Sequence, residues 1–163
     1  ELIVSTKMDV LKEAQLILTV TSAIHDVVRP EHLQPGSVVC DVARPRDVSA
    51  MVGAVRDDIL MIDGGMVDVP GSVDFHFNFG FPPGKAYACM AETIALALEG
   101  RFEDYTLGKH LVRERVDEIG AMAKKHGFRL SGFRSFEREV TAQQIEAVRR
   151  NAKNARSARI VRT

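Results

Sequence analysis

The sequence predicts an α/β protein built on a parallel sheet, followed by a helical C-terminal segment. Three observations carry this. Short apolar runs recur along the first half, the stretches between them have helical spacing or turn chemistry, and past Gly84 the pattern becomes helical.

The runs are LIV (2–4), LILTV (16–20), SVVC (37–40) and ILMI (59–62). Each is nearly continuous rather than alternating, as expected of strands buried on both faces of a parallel sheet. Between the first two, KMDVLKEA (7–14) sets Met8, Leu11 and Ala14 at helical spacing. Pro30 and Pro35 bracket a short turn, and 45–58 has the pattern of a further crossover. After the aromatic connection DFHFNFGFPPG (74–84), residues 85–99 place Tyr87, Met90, Ala91, Ile94 and Leu98 on one stripe, with Gly100 as C-terminal cap. A second helix is expected from about Leu111 to Lys125, with Val112, Val116, Ile119 and Met122 inward and Gly127 as its cap. A last helix should start after Thr141 as N-cap and fray past Asn154.

Composition narrows the function classes. The 163 residues, 45% hydrophobic, suffice for an ordinary globular core. Lys plus Arg equals Asp plus Glu at 22 each, so the chain carries no overall signature of nucleic-acid binding. Charge is uneven, however: from Arg134 onward eight basic residues face three acidic ones, which makes the tail basic. Cys40 and Cys89 are too few for a disulfide framework and lack the spacing of a zinc site. The five histidines likewise show no metal-ligand spacing, and no metal is expected. No apolar run reaches about 18 residues and no leader pattern is seen, so a cytoplasmic protein without a membrane span is expected. The apolar opening ELIVST without an initiator methionine suggests part of a longer polypeptide.

In a parallel sheet all carboxyl ends lie on one edge, where open α/β sheets bind ligands. Residues expected there include Thr21, Ser22, Ala43, Arg44, Gly64 and Gly65. Small residues let a ligand approach the backbone, although turns contain the same residue types for their own reasons. The glycine loop G-x-G-x-x-G of a dinucleotide fold occurs nowhere in the chain.

Cys89 is the candidate nucleophile. It is expected about one turn inside the helix delimited by Pro82, Pro83 and Gly84, where the positive end of the helix dipole favours a thiolate. Lys85 could add positive charge on nearly the same face. Free cysteine is also a common core filler, so packing stays an alternative for Cys89 and is the expectation for Cys40. Glu92 reads as a polar anchor to a loop rather than as an activator, and the aromatic connection reads as a strand, as the wall of an apolar channel, or as a packed lid.

The segments IDGGMVD (62–68) and AYACMAETIALALEGRFEDYTLGKHLVRERVDEIGAMAKKHGFRL (86–130) resemble the C-terminal part of the long-chain fatty acyl-ACP reductases. The matching residues are Gly64 and Gly65, then Ala88, Cys89, Ala91 and Glu92, Glu99 and Gly100, Gly108, and Ile119, Gly120, His126, Gly127 and Phe128. LTVTSA and VVCDVARPRDVS also look like later strands of NADP-binding Rossmann domains in the wider shikimate-dehydrogenase-like group. This resemblance implies a partial Rossmann-like sheet over 1–80, lacking its glycine loop, and a helical segment over 81–163 with the catalytic cysteine and the basic tail. It implies an NADPH-dependent reduction of a fatty acyl thioester to an aldehyde, through an acyl-enzyme on Cys89. Acyl carrier protein or acyl-CoA would be the substrate partner, and a homo-oligomer stays open. The chain departs from the family at Asp68 and Val69, where the family has Glu-His, in lacking tryptophan, and at Leu107, Gly108 and Lys109 in place of Trp-Gly-Arg. A shikimate-type dehydrogenase of a small alcohol or ketone, or a non-catalytic binding or oligomerisation module, are the competing readings.

Overall fold

The computed structural model describes residues 2–108, 110–136 and 138–160. Lys109, Glu137 and Arg162, which enter the resemblance or the charge of the tail, lie outside these residues, as does the side chain of Arg159. The elements in chain order are β1 (Leu16–Thr19), β2 (Val38–Asp41), α1 (Ala50–Val55), β3 (Leu60–Asp63), β4 (Met66–Asp68), β5 (Lys85–Tyr87), α2 (Ala88–Leu98), α3 (Arg113–Lys125), β6 (Arg129–Leu130), β7 (Arg134–Ser135), β8 (Arg138–Glu139) and α4 (Ala142–Ile160). Short 3-10 turns span Met8–Glu13 and Pro30–His32. The fold is mixed α/β, with a sheet containing parallel strands and a C-terminal helix. Two compact units compose it: Glu1–Gly64 with Phe133–Thr163, and Gly65–Gly132.

In the first unit β1, β2 and β3 run parallel and in register, so that Thr19, Asp41 and Asp63 end the three strands side by side. β7 and β8 continue the sheet antiparallel, giving the order β1-β2-β3-β7-β8. Ile17, Val39 and Met61 point to one face and are buried with Val28, Leu33, Val48, Val52 and Ile59. Each such side chain contributes about 1.5–3 kcal/mol when fully buried. Helix α1 is started by Ser49, whose hydroxyl accepts from the Met51 amide at 3.3 Å.

The opposite face corrects the expectation of strands buried on both sides. Leu16, Leu18 and Val20 are 74%, 64% and 65% exposed. The reason is topological: β1 is an edge strand with β2 as its neighbour, and α4 lies over Val38 and Leu60. Residues 2–4, expected to be a strand, are exposed and carry no regular structure.

The second unit centres on β4, flanked by antiparallel β5 and β6. Its core is Val69, Ala86, Ala91, Ala95 and Phe128, with Ile94 of α2 and Ile119 and Met122 of α3 against it. Val112 and Val116, expected inward, are half exposed. Both predicted glycine caps are present. Gly100 (φ +67°) and Gly127 (φ +86°) take the left-handed conformation, and the amides of Arg101 and Phe128 return to Leu96 and Ala123 at 2.9 Å. The second cap delivers the chain directly into β6. Helix α4 opens with a reciprocal cap, Gln144 N–H to Thr141 Oγ1 at 3.2 Å and Thr141 N–H to Gln144 Oε1 at 2.8 Å, and runs on to Ile160 rather than fraying past Asn154.

Candidate functional site

The predicted site residues fall in two places, one in each unit. In the second unit the cysteine helix begins later than its periodicity suggests. Residues 85–87 form β5, because the Met66–Asp68 strand offers a full ladder of partners and Lys85 Nζ donates to Asp68 Oδ1 at 2.7 Å and lies 2.5 Å from Ser131 Oγ. The lysine charge is therefore committed to Asp68, whose carboxyl it holds below the usual carboxylate range. It does not accompany the cysteine. Helix α2 starts at Ala88, whose amide donates to Gly65 O at 2.5 Å, and Gly65 sits at φ +82° to make that turn.

Cys89 is thus the second residue of α2, and its thiol group lies on an exposed residue. Tyr87, at the N-cap, makes no side-chain cap hydrogen bond to the first-turn amides. Glu92 accepts from the Thr106 hydroxyl and so anchors the loop after α2, as its position suggested. Tyr105 in that loop is covered by two guanidiniums, Arg101 at 4.9 Å and Arg115 at 5.1 Å from the ring centroid, and its hydroxyl bonds Glu118.

Cys40 has a different environment. It is half-buried at the end of β2, and burial first, then the nearby Asp41 and Asp63, push its thiol up and disfavour the thiolate. Of the two cysteines, Cys89 is the exposed one.

The aromatic connection is a folded ladder of rings rather than a strand. Phe77–Phe79, Phe79–Phe81 and Phe81–Tyr87 have centroids 4.7, 5.5 and 5.2 Å apart, so the ladder ends on the residue that precedes α2. A cavity of about 700 Å³ opens beside it, lined by Val73, Phe75, Phe77, Phe81 and Pro82 among others. His76 in this segment has φ +52° and an exposed ring 3.4 Å from Asp74.

The carboxyl edge of the parallel sheet, in the first unit, is organised by buried aspartates. Asp41 Oδ1 accepts from the Thr19 hydroxyl at 2.9 Å and the Ala43 amide at 3.0 Å, and its Oδ2 accepts from the Val48 amide at 3.0 Å. Asp47 takes both donors of Thr21, the amide at 2.9 Å and the hydroxyl at 2.5 Å, while its own carbonyl accepts from Val27 and Val28. Asp63 faces Arg46 at 3.3 Å and Arg44 at 4.0 Å.

This places the predicted cofactor residues individually. Thr21 is tied to Asp47 and Ala43 to Asp41. Gly64 is small because Val42 packs on it: a Cβ there would lie 2.6 Å from Val42 Cγ2. Ser22 and Arg44 keep exposed side chains at the same edge, and Gly65 belongs to the turn into the second unit. Sequence reading did not single out Asp47; an aspartate a few residues past the end of the VVCD run was the available signal, and its burial shows only in the fold. Among the described residues no group of three His, Cys, Asp or Glu side chains is arranged to hold a metal, and no helix is long and apolar enough to cross a membrane.

Against known proteins, no family model matches the chain. It is 40% identical over 145 residues to a Serratia sp. protein named aminotransferase PigE, covering 87% of this chain and 17% of that protein. Both relatives are enzymes. The second is the long-chain acyl-[acyl-carrier-protein] reductase of Synechococcus elongatus, 27% identical over 124 residues, which are 72% of this chain and 36% of the reductase. The chain therefore spans well under half the length of either relative.

Proposed function

We propose that this chain is the cysteine-bearing portion of an oxidoreductase that reduces an acyl thioester to an aldehyde with NADPH. The observation that carries the reading is Cys89: an exposed thiol at the second position of a helix whose first turn has no side-chain cap, at the end of an aromatic ladder. The likeness to a reductase over 72% of the chain supports it, with the resemblance around Cys89 falling in the same region.

The chemistry asked of the chain is thiol–thioester exchange. Cys89 Sγ attacks the thioester carbonyl carbon, and the developing oxyanion would take donors from the Cys89 and Met90 amides, that of Ala88 being bonded to Gly65 O. Collapse breaks the bond to the carrier sulfur, which leaves as a thiolate and takes up a proton, and Cys89 carries the acyl group as a thioester. The aromatic ladder and its cavity offer the acyl chain an apolar wall.

In this reading β1–β3 are the C-terminal part of a Rossmann-like NAD(P)-binding domain. Ser22 and Arg44, with exposed side chains at its carboxyl edge, would meet the cofactor, while a glycine loop for the pyrophosphate is absent from these residues. NADPH, when bound, supplies the hydride that reduces the acyl group. The exposed Arg149 and Arg150 of α4 would steer an acidic acyl carrier protein.

A second reading rests on the 40% match: the chain is an accessory part of an aminotransferase polypeptide. The matched stretch is 17% of that protein, so more than four fifths of it is left to carry the named activity. Intact-mass measurement after incubation with a long-chain acyl thioester, without NADPH, separates the two. An adduct of one acyl group, absent in Cys89→Ala, is expected; no adduct in a folded protein would overturn the reductase reading.

A further inference from the structure

A second cavity lies at the opposite end of the parallel sheet from the carboxyl edge. It holds about 440 Å³ between α4 and the start of β2 and β3, with Val38, Leu60, Ile145, Val148 and Ala152 among its lining and Lys153 and Arg156 on its rim. That volume falls within the range of small-molecule sites, roughly 300–1,000 Å³. From this strand start to the carboxyl edge is a four-residue strand, or about 10 Å at ~3.3 Å per residue. The cavity is thus separate from the edge assigned to a cofactor.

Its shape selects the occupant. At one end α4 rides directly on Gly36, where a Cβ would meet Ala152 Cβ at 3.2 Å and Arg156 Nη2 at 2.8 Å. That contact closes one end of the cavity, and the aliphatic Val38, Leu60, Ile145 and Val148 beyond it match an apolar chain. Its charge selects the head. Arg156 Nε donates to Pro35 O at 2.9 Å, which holds the guanidinium at the mouth of the groove beside Gly36. Lys153 sits one turn before it with no carboxylate in salt-bridge distance among the described residues, while Arg149 is occupied by Glu146 at 2.6 Å.

We propose that this groove binds an anionic amphiphile with one unbranched apolar chain, the chain along Ala152, Val148 and Ile145 and the phosphate or carboxylate head against Lys153 and Arg156. Such a ligand buries its chain against aliphatic side chains and brings its head to the two cationic groups on the rim.

Isothermal titration of the longest natural form of the chain with dodecyl phosphate below its micelle concentration tests this. One-to-one binding is expected, at least tenfold weaker in Lys153→Glu/Arg156→Glu, weaker in Val148→Trp, and declining with added salt. Dodecanol binding as tightly as dodecyl phosphate would remove the head-group role, and inorganic phosphate binding as tightly would remove the chain's. Binding to phosphatidylglycerol vesicles without binding of the soluble amphiphile would make this a membrane-surface patch and overturn the pocket. Since Val148→Trp could unfold the unit, a dodecyl phosphate carrying a diazirine in its tail provides the second measurement. Photolabelling within 142–153 supports the groove, and labelling confined elsewhere refutes it.

Discussion

Replacing Asp41 with Asn tests the account of the carboxyl edge most directly. The Asp41 side chain is fully buried and accepts three hydrogen bonds, from the Thr19 hydroxyl and the Ala43 and Val48 amides. Every partner is a donor. An asparagine keeps one acceptor oxygen and turns an NH₂ toward the remaining donors, so at least one backbone amide is left facing another donor. The lost bond costs about 0.5–1.5 kcal/mol and the orphaned buried amide a further 1–3, which gives a destabilisation of about 3 kcal/mol. At about 1.4 kcal/mol per tenfold, the amide exchange of Val48 or Ala43 should speed up roughly 100-fold. Thr19→Val removes a single hydroxyl donor and leaves both amides satisfied, so it should cost only about 1 kcal/mol. Hydrogen exchange of the 41–48 segment, beside thermal denaturation followed by circular dichroism, reads both effects. Equal and small effects, below about 1 kcal/mol for both variants, would refute the claim that this carboxyl organises the edge.

Iodoacetamide should alkylate Cys89 well before Cys40, because Cys89 is exposed and the Cys40 thiol is pushed up by burial; peptide mass mapping over time checks the order. Arg149→Glu/Arg150→Glu should raise the apparent KM for an acyl carrier substrate and leave that for acyl-CoA nearer the wild-type value, and equal KM values on the carrier would end the steering idea. Lys125 first and then His126 hold the Glu99 carboxyl below its ordinary range, and Tyr105 first and then Arg101 do so for Glu118. With folded values below unfolded ones, the contribution is complete above about pH 4.3 and is lost as pH falls through the lower folded values. Near-ultraviolet dichroism of the tyrosines should therefore change below about pH 4, and less so in Glu99→Gln/Glu118→Gln; an identical acid response would refute the pairing. Gly127→Ala should destabilise by about 1–2 kcal/mol from its left-handed backbone, in a thermal melt, and no loss would contradict the cap.

What the sequence made legible was local. Continuous apolar runs announced β1, β2 and β3, since four apolar residues bounded by turn chemistry leave few other conformations, and the glycine caps and Thr141 followed from single residues with strong backbone or capping preferences. Long-range pairing stayed hidden. β6, β7 and β8 are two residues long and acquire strand geometry from partners far along the chain, and 85–87 has helical periodicity that the β4 ladder overrides. Residues 2–4 failed in the opposite sense, apolar enough for a strand but without a partner to pair with. At the site, Cys89 was legible as a helix-start thiol. The reason for small residues at the sheet edge was not, because Thr21, Ala43 and Gly64 answer to Asp47, Asp41 and Val42, whose contacts depend on the fold.

The pairing of Asp63 with Arg134 across β3 and β7 has a practical corollary. These residues are the last of one strand and the first of the next, and they already face each other in an antiparallel ladder. Joining Gly64 directly to Phe133 would turn the excursion between them into a two-residue hairpin loop, the shortest common connection for such strands. The first unit could then be made as one uninterrupted polypeptide, with the cysteine-bearing stretch as a cassette to be removed, returned, or exchanged for that of a relative.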